Sequence, residues 1–384
     1  MPARFRTPDG VSQFAPSASW QYTTQDLLDA ESRLLETGRD TTRPTVSYAT
    51  IAAVCDGPLP GRTHGLGADQ AVAVEQIAAS GRRLDLLAGP AGAGKTTVLA
   101  GLLAAWEAEH GAGTVKGLAP SATAAANLAE ELGIPCENTA KWLSKLDRRD
   151  ARRAEIARLR ARLRSRLPVP AVRTVAARTV ALEEEVKEWD LRAGDVLIVD
   201  EAGMAGTFAL DRLAAQAREA GAKLLLVGDW AQLGAVDAGG AFGVLVDDRH
   251  VVPELTEVRR FRSRWEQRAS VELRVGSSAG IDAYLAHDRV FDGTRVEMLD
   301  ALYQGWKNDS EAGHTSLMIA HDVATAAELN RRARQDRVRN GQVAAAGIRP
   351  ADGLDAGVGD VVVTRQNDRL LRLLDGDWVR NRDR

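Results

Sequence analysis

Three apolar runs of strand length punctuate the first two-thirds of the chain. They are Leu84, Leu86, Leu87 and Ala88, then Val196-Leu-Ile-Val199, then Leu224-Leu-Leu-Val227. None alternates with polar residues, the pattern of strands buried on both faces, as in a parallel sheet. Helix-forming stretches over 95–109 and 208–219 separate them, so 66–254 reads as an α/β domain with a doubly wound parallel sheet. Residues 1–65 form an approach segment rich in Thr, Pro, Ser and Gly. It contains one expected helix over 24–37, with Leu27, Leu28, Leu34 and Leu35 on one face, Thr23 or Thr24 as cap and Gly38 at its end. An excursion over 145–190, too charged for sheet and rich in helix formers, predicts a protruding helical insertion. Beyond residue 254 the pattern predicts a second unit over 255–384. It comprises a helix over 265–273, a strand at Leu317, Met318 and Ile319, a helix over 326–339 and a further strand at Val361-Val-Val-Thr364.

Chemistry concentrates where the apolar runs end. After the first comes Gly89-Pro90-Ala91-Gly92-Ala93-Gly94-Lys95-Thr96-Thr97. Glycines that tolerate positive φ let successive backbone N–H groups converge on phosphate oxygens, and the helix that follows turns its positive end to the anion. In such a loop Lys95 reaches the β- and γ-phosphates and Thr96 offers a hydroxyl to Mg²⁺. A nucleoside triphosphate with Mg²⁺ is the expected ligand.

The second run ends in Asp200 and Glu201, paired carboxylates at the end of a strand. Asp200 is the expected Mg²⁺ partner, and Glu201 the group that orients and deprotonates an attacking water, which argues for hydrolysis over transfer to a substrate hydroxyl. The third run ends in Gly228-Asp229-Trp230-Ala-Gln232-Leu233, where Gln232 is placed to sense the γ-phosphate and Asp229 to line the site.

These motifs, in this order and covering most of the chain, resemble superfamily 1 helicases. The likeness is to the RecD-like branch that includes the helicase half of conjugative relaxases of the TrwC and TraA type. The resemblance implies two RecA-like lobes, an ATP-driven motor moving 5′ to 3′ on single-stranded DNA, and other conjugation or relaxosome proteins as partners. It implies that Gln70 reads adenine, with Gly67 standing where Ser or Thr is usual, and that Arg260 is the arginine finger, with Arg259 the adjacent alternative. It marks 115–127 as a first DNA-binding motif, with Pro120, Ser121 and Thr123 at the strand-to-helix junction, and 138–143 as a second, with Thr139 and Lys141 available to phosphates. Trp142 reads equally as a stacking platform for a base or as a core residue beside Leu143 and Leu146. By the same resemblance 357–384 is the start of a small inserted barrel, and its turn at Asn381-Arg382-Asp383 carries Arg where the family has Gly. The final helicase motifs are expected to be missing before Arg384, which would leave the second lobe incomplete and DNA unwinding impaired. A module that binds nucleotide and DNA without unwinding is the alternative.

Composition changes the picture in one respect. With 50 basic and 53 acidic residues among 384, the formal charge is −3, so any affinity for nucleic acid must arise from local grouping. Such a group lies at Arg148, Arg149, Arg152, Arg153, Arg158, Arg160, Arg162, Arg164 and Arg166, which suits single-stranded DNA. Glu183, Glu184, Glu185 and Glu188 offer the competing outcome, an internally paired helical hairpin. Cys55 and Cys136 lack metal-ligand spacing, no apolar signal core follows Met1, and no apolar run approaches membrane-spanning length. A cytoplasmic protein without membrane insertion is expected. The scattered histidines and the isolated Tyr22 predict no nicking activity.

Overall fold

The computed structural model describes residues 23–42, 44–62, 64–165, 168–232, 234, 238–350, 353–364, 368–372 and 378–379. They fall into two compact units that divide after Arg262. The first unit is built on a five-stranded sheet comprising β1 (Leu84–Ala88), β2 (Val115–Ala119), β3 (Cys136–Asn138), β4 (Val196–Val199) and β5 (Lys223–Gly228). The strands lie in the order β1-β5-β4-β2-β3 and every pairing is parallel. Ala88 pairs with Gly228 and Val199 with Leu226. That register brings the loops after β1, β4 and β5 to one edge of the sheet, where open α/β sheets bind ligands.

Both faces are covered, as the unbroken apolar runs require. On one face Leu87, Val196, Ile198, Leu225 and Val227 pack with Val74, Ile77, Val98, Leu102 and Trp106. On the other, Leu86, Leu197, Val199, Leu224 and Leu226 pack with Leu34, Leu210, Leu213 and Phe242. Successive strand residues thus serve opposite layers.

The helices of this unit are α1 (Gln25–Arg39), α2 (Tyr48–Cys55), α3 (Ala68–Ala79), α4 (Lys95–His110), α5 (Ala122–Leu132), α6 (Thr139–Leu163), α7 (Val169–Trp189), α8 (Thr207–Ala220) and α9 (Ala241–Asp248). Thr24 caps α1 through its side chain. The helix runs through Gly38 to Arg39, because Asp40 and its neighbours, rather than a glycine turn, redirect the chain. An ion pair from Arg33 to Asp211 ties α1 to α8 at 2.7 Å.

The charged excursion is a helical hairpin of α6 and α7. Its acidic residues pair across the two helices: Glu183 with Arg160 at 2.9 Å, and Glu185 with both Lys145 at 2.6 Å and Arg152 at 2.8 Å. Arg178 reaches back to Glu155 at 3.2 Å. The internally paired hairpin is therefore realised for these residues. Arg148, Arg158, Arg162 and Arg164 make no ion pair among the described residues and are exposed. Arg166 lies outside the described residues.

The second unit comprises α10 (Arg264–Arg274), α11 (Ser278–Ala286), α12 (Arg295–Glu311), α13 (Val323–Arg339) and two short antiparallel ladders, β6 (Gly347–Ile348) with β7 (Ala356–Gly357) and β8 (Asp368–Arg372) with β9 (Trp378–Val379). Trp265 stacks on His287 with ring centroids 3.8 Å apart, fastening α10 to the end of α11. Two expected strands do not form. Leu317–Ile319 and Val361–Thr364 belong to no ladder among the described residues, and Ile319 and Val361 are exposed. An apolar run becomes a strand only where a neighbour takes up its backbone N–H and C=O groups, and no described strand lies beside either segment. The turn expected at Asn381–Asp383 lies outside the described residues. No helix among the described residues is long and apolar enough to cross a membrane.

Candidate nucleotide site

The loop between β1 and α4 carries the first group of expected residues. Gly92 and Gly94 adopt φ of +80° and +90°, values that side-chain-bearing residues rarely take. Lys95 opens α4, and its Nζ donates to the Gly89 carbonyl at 2.8 Å, so the ammonium is folded over the loop. Thr96 and Thr97 follow in the first turn. The loop is anchored on the sheet by the Gly89 N–H donating to the Gly228 carbonyl at 3.1 Å.

The carboxylates stand at the end of β4. Burial raises the Asp200 carboxyl pKa above the usual carboxylate range, the nearby Glu201 charge raises it further, and the Lys95 ammonium acts in the opposite direction. Glu201 itself has φ +50° and ψ +44°, a left-handed conformation unusual for a residue with a Cβ. It turns the chain from β4 directly into the short 3₁₀ turn Ala202–Met204. Such strain costs about 1 kcal/mol and accumulates at functional sites. Nothing in the sequence signalled it. Asp229, at the end of β5, is buried, and its Oδ1 accepts from the Ala231 N–H at 3.1 Å. Gln232 is exposed in the turn that follows; Leu233 lies outside the described residues.

The segment after Glu254 belongs to the first unit, so that unit runs beyond the boundary expected at 254. Leu255 donates its N–H to the Ala88 carbonyl at 2.9 Å, and Ala88 donates to the Pro253 carbonyl at 2.9 Å, extending the sheet past β1. Leu255 and Val258 are buried. This pins the two arginines beside the phosphate loop: the Arg259 N–H donates to the Gly92 carbonyl at 2.9 Å. The two side chains then part. Arg259 is held by Asp69 at 2.9 Å and Glu257 at 3.2 Å. Arg260 is exposed, without an ion-pair partner among the described residues, and lies directly over Gly92. A Cβ added to that glycine would stand 2.7 Å from the Arg260 Cβ and 3.1 Å from its Nε.

Gln70 sits in the first turn of α3, buried. Its Oε1 accepts from the Gly67 N–H at 3.0 Å and its Nε2 donates to the Gly94 carbonyl at 3.3 Å. It therefore links the helix start to the phosphate loop and satisfies the Gly67 N–H, while Gly67, without a side chain, accepts nothing from the first turn of the helix. A Cβ at Gly67 would meet the Arg259 guanidinium, the far end of a flexible and partly exposed side chain that can swing aside, so space alone does not require glycine there.

The expected DNA-facing residues gather at the same sheet edge, beyond β2 and β3, and most have internal partners. Ser121 caps α5 by accepting from the Ala124 N–H at 3.1 Å, and Thr139 donates to the Ala119 carbonyl at 3.1 Å. Pro120 is exposed and its carbonyl accepts from Asn138; Thr123 is half-buried. Lys141 pairs with Glu137 and lies over the Trp189 ring. Of the two readings open for Trp142, the structure has the core residue and not the stacking platform. It is 3% exposed, packs edge-on against Trp189 and donates from Nε1 to Gln216 Oε1 at 2.7 Å. A base has no face of this indole to meet.

Comparison with known proteins agrees with this arrangement. The family model described as an AAA domain matches residues 65–295. The chain is similar to the conjugal transfer protein TraA of Rhizobium radiobacter, 31% identical over 324 residues, covering 82% of this chain and 25% of that protein. It is likewise similar to TraA of Agrobacterium fabrum strain C58, 29% identical over 365 residues, covering 93% of this chain and 29% of the relative. The RecBCD enzyme subunit RecD of Mycobacterium tuberculosis is 34% identical over 206 residues, 51% of this chain and 32% of that subunit. The chain thus spans less than a third of the length of the curated relatives it matches.

Proposed function

Because the chain belongs to the AAA-domain family, a family of P-loop NTPases, we propose that it binds ATP with Mg²⁺ and hydrolyses it as the motor of a helicase that acts on single-stranded DNA. One observation carries the reading. A single parallel sheet delivers the Lys95 loop, the Asp200–Glu201 pair and the Arg260 segment to one edge.

The donor set fits the nucleotide and its metal. Gly89 through Thr97 would form the cradle, with Pro90, Ala91 and Ala93 shaping its turns, and Thr96 and Asp200 would be the oxygen ligands for Mg²⁺. A hard divalent cation accepts such oxygens and would hold Asp200 ionised despite its burial. When bound, the ion neutralises charge on the β- and γ-phosphates. Lys95 exchanges its bond to the Gly89 carbonyl for phosphate oxygens. Glu201 holds the attacking water and takes its proton, Gln232 orients that water, Asp229 fixes the turn bearing Gln232, and Arg260 offers its planar fork to the γ-phosphate. Gln70 would address the purine by exchanging its bonds to the Gly67 N–H and the Gly94 carbonyl for the base edge. Residues 66–254 with the segment up to Arg262 act as a RecA-like ATPase lobe, and the remainder contributes to a second lobe that includes the start of the inserted barrel.

The relatives named as conjugal transfer proteins support conjugal transfer as the setting, and 5′ to 3′ movement on DNA is proposed with it from the resemblance to RecD-like helicases. The α6–α7 hairpin and the loops after β2 and β3 offer surfaces for the strand, through Pro120, Ser121, Thr123, Thr139, Lys141 and the unpaired arginines. The test is ATP turnover with and without single-stranded DNA. A DNA-stimulated rate that falls about 100-fold or more in Lys95→Ala supports the motor. Nucleotide binding without turnover would assign a binding module instead, and absence of binding would remove the proposal altogether. Unwinding of duplexes with a 5′ but not a 3′ single-stranded tail checks the direction.

A further inference from the structure

The approach segment brings a cation to the nucleotide site that none of the motifs contains. Between α2 and α3 the chain makes a tight excursion. Leu59 is buried in it, Arg62 donates its N–H to the Leu59 carbonyl at 3.0 Å, and the chain doubles back until a Cβ on Gly65 would stand 3.0 Å from the Gly57 carbonyl. The excursion ends with the Arg62 guanidinium on the first turn of α4, where Nη1 donates to Thr97 Oγ1 at 3.1 Å. Arg62 is half-buried and has no ion-pair partner among the described residues. Most of its fork of donors is uncommitted.

Its position says which end of the nucleotide it meets. Seen from Gly94, the Arg62-bonded Thr97 hydroxyl and the Gln70 amide lie on the same side: a Cβ on Gly94 would point at Gln70 Nε2 with Thr97 Oγ1 3.9 Å away. Asp200, Glu201 and Arg260 serve the γ-phosphate. We infer that Arg62 is a nucleotide-binding residue, contacting the α-phosphate and purine end beside Gln70, and that it therefore holds ADP as firmly as ATP. Thr97, which accepts the Arg62 bond, keeps its own hydroxyl proton for a phosphate oxygen. The approach segment is thereby part of the nucleotide site.

The inference rests on the ATP reading above, and its experiment separates the two. Calorimetric titration of Mg-ATP and of Mg-ADP is made on the full chain, on Arg62→Ala and on Arg62→Gln, with thermal melting of each protein without nucleotide. Wild-type chain that binds neither nucleotide refutes the ATP reading itself. Wild-type chain that binds both, with both affinities about ten-fold weaker in Arg62→Ala at an unchanged melting temperature, supports the inference. A lowered melting temperature with unchanged affinities overturns it, because Arg62 would then only fasten the excursion to α4. Loss of ATP affinity alone overturns it too, since a γ-phosphate contact would be indicated. Should Arg62→Ala not fold, Arg62→Gln decides in the same way: it retains a donor for Thr97 but not the charge, so weaker ADP binding supports the contact and unchanged ADP binding rejects it.

Discussion

Two buried tryptophans with different neighbours in sequence show what those neighbours do and do not reveal. Trp142 lies between Lys141 and Leu143, so its neighbours suit a DNA-facing platform and a core position alike. The deciding partner, Gln216, is far away in sequence and meets the indole only once α6 packs on α8. Trp106 lies within an apolar helical run and is fully buried, its Nε1 donating to the Gly194 carbonyl at 2.9 Å. For Trp142→Phe the expected result is a stability loss of about 1–2 kcal/mol, since Gln216 Oε1 loses a buried donor. Single-stranded DNA affinity should be unchanged. Chemical denaturation paired with a fluorescence binding titration measures both, and DNA affinity lost at unchanged stability would restore the platform. The nucleotide-binding loop was legible for the opposite reason: its chemistry depends on residues adjacent in the chain. Arg62 was not, because its partner Thr97 lies on a different element and no spacing links them.

At the scale of elements, the apolar pattern gave helices and buried strands wherever two layers meet, and misled where a run has no strand pairing among the described residues, as at Val361–Thr364. Charged junctions were invisible to it. At the end of α1, Asp40 accepts from Thr42 Oγ1 at 2.7 Å and from Arg83 Nε at 2.6 Å, joining the helix to the residue before β1. The Thr42 hydroxyl bond first, and the Arg83 guanidinium after it, hold this carboxyl at about 2, against the opposing effect of burial. A carboxyl whose pKa is lower in the folded chain contributes stability above its unfolded value, near 3.8, and loses it as pH falls through about 2. Its contribution at neutral pH is about 1 kcal/mol after screening. Asp40→Asn keeps the Thr42 bonds but removes the charge facing Arg83. Urea titrations should show the variant less stable by that amount at pH 7, with the gap narrowing steadily between pH 4 and pH 2. A gap that stays constant over that interval would remove Asp40 from the acid-sensitive set.

For the molecule as a whole, the distribution of the proposed nucleotide contacts between the two units has a measurable consequence. From Arg62 and Gln70 through Lys95, Asp200 and Gln232 to Arg260, all of them precede the division after Arg262. The reason lies in the sheet: Pro253 and Leu255 extend it beyond β1, so the arginine segment folds with the strands that bear the loop and the carboxylates. Ligand that binds only the folded first unit stabilises it by about 2.7 kcal/mol at a hundred-fold excess over its dissociation constant. Amides of β1, β4 and β5, paired within one continuous sheet, share that gain. Hydrogen exchange with and without Mg-ADP should therefore show slowed exchange in the phosphate loop, in the turn after Glu201 and across the sheet. The amides of α12 and α13 should exchange at unchanged rates. Equal protection in both units would mean that ADP also engages residues beyond 262, and the nucleotide site would have to be redrawn to include them. Slowed exchange at the excursion around Arg62, together with the phosphate loop, would tie the approach segment to the same ligand without any substitution.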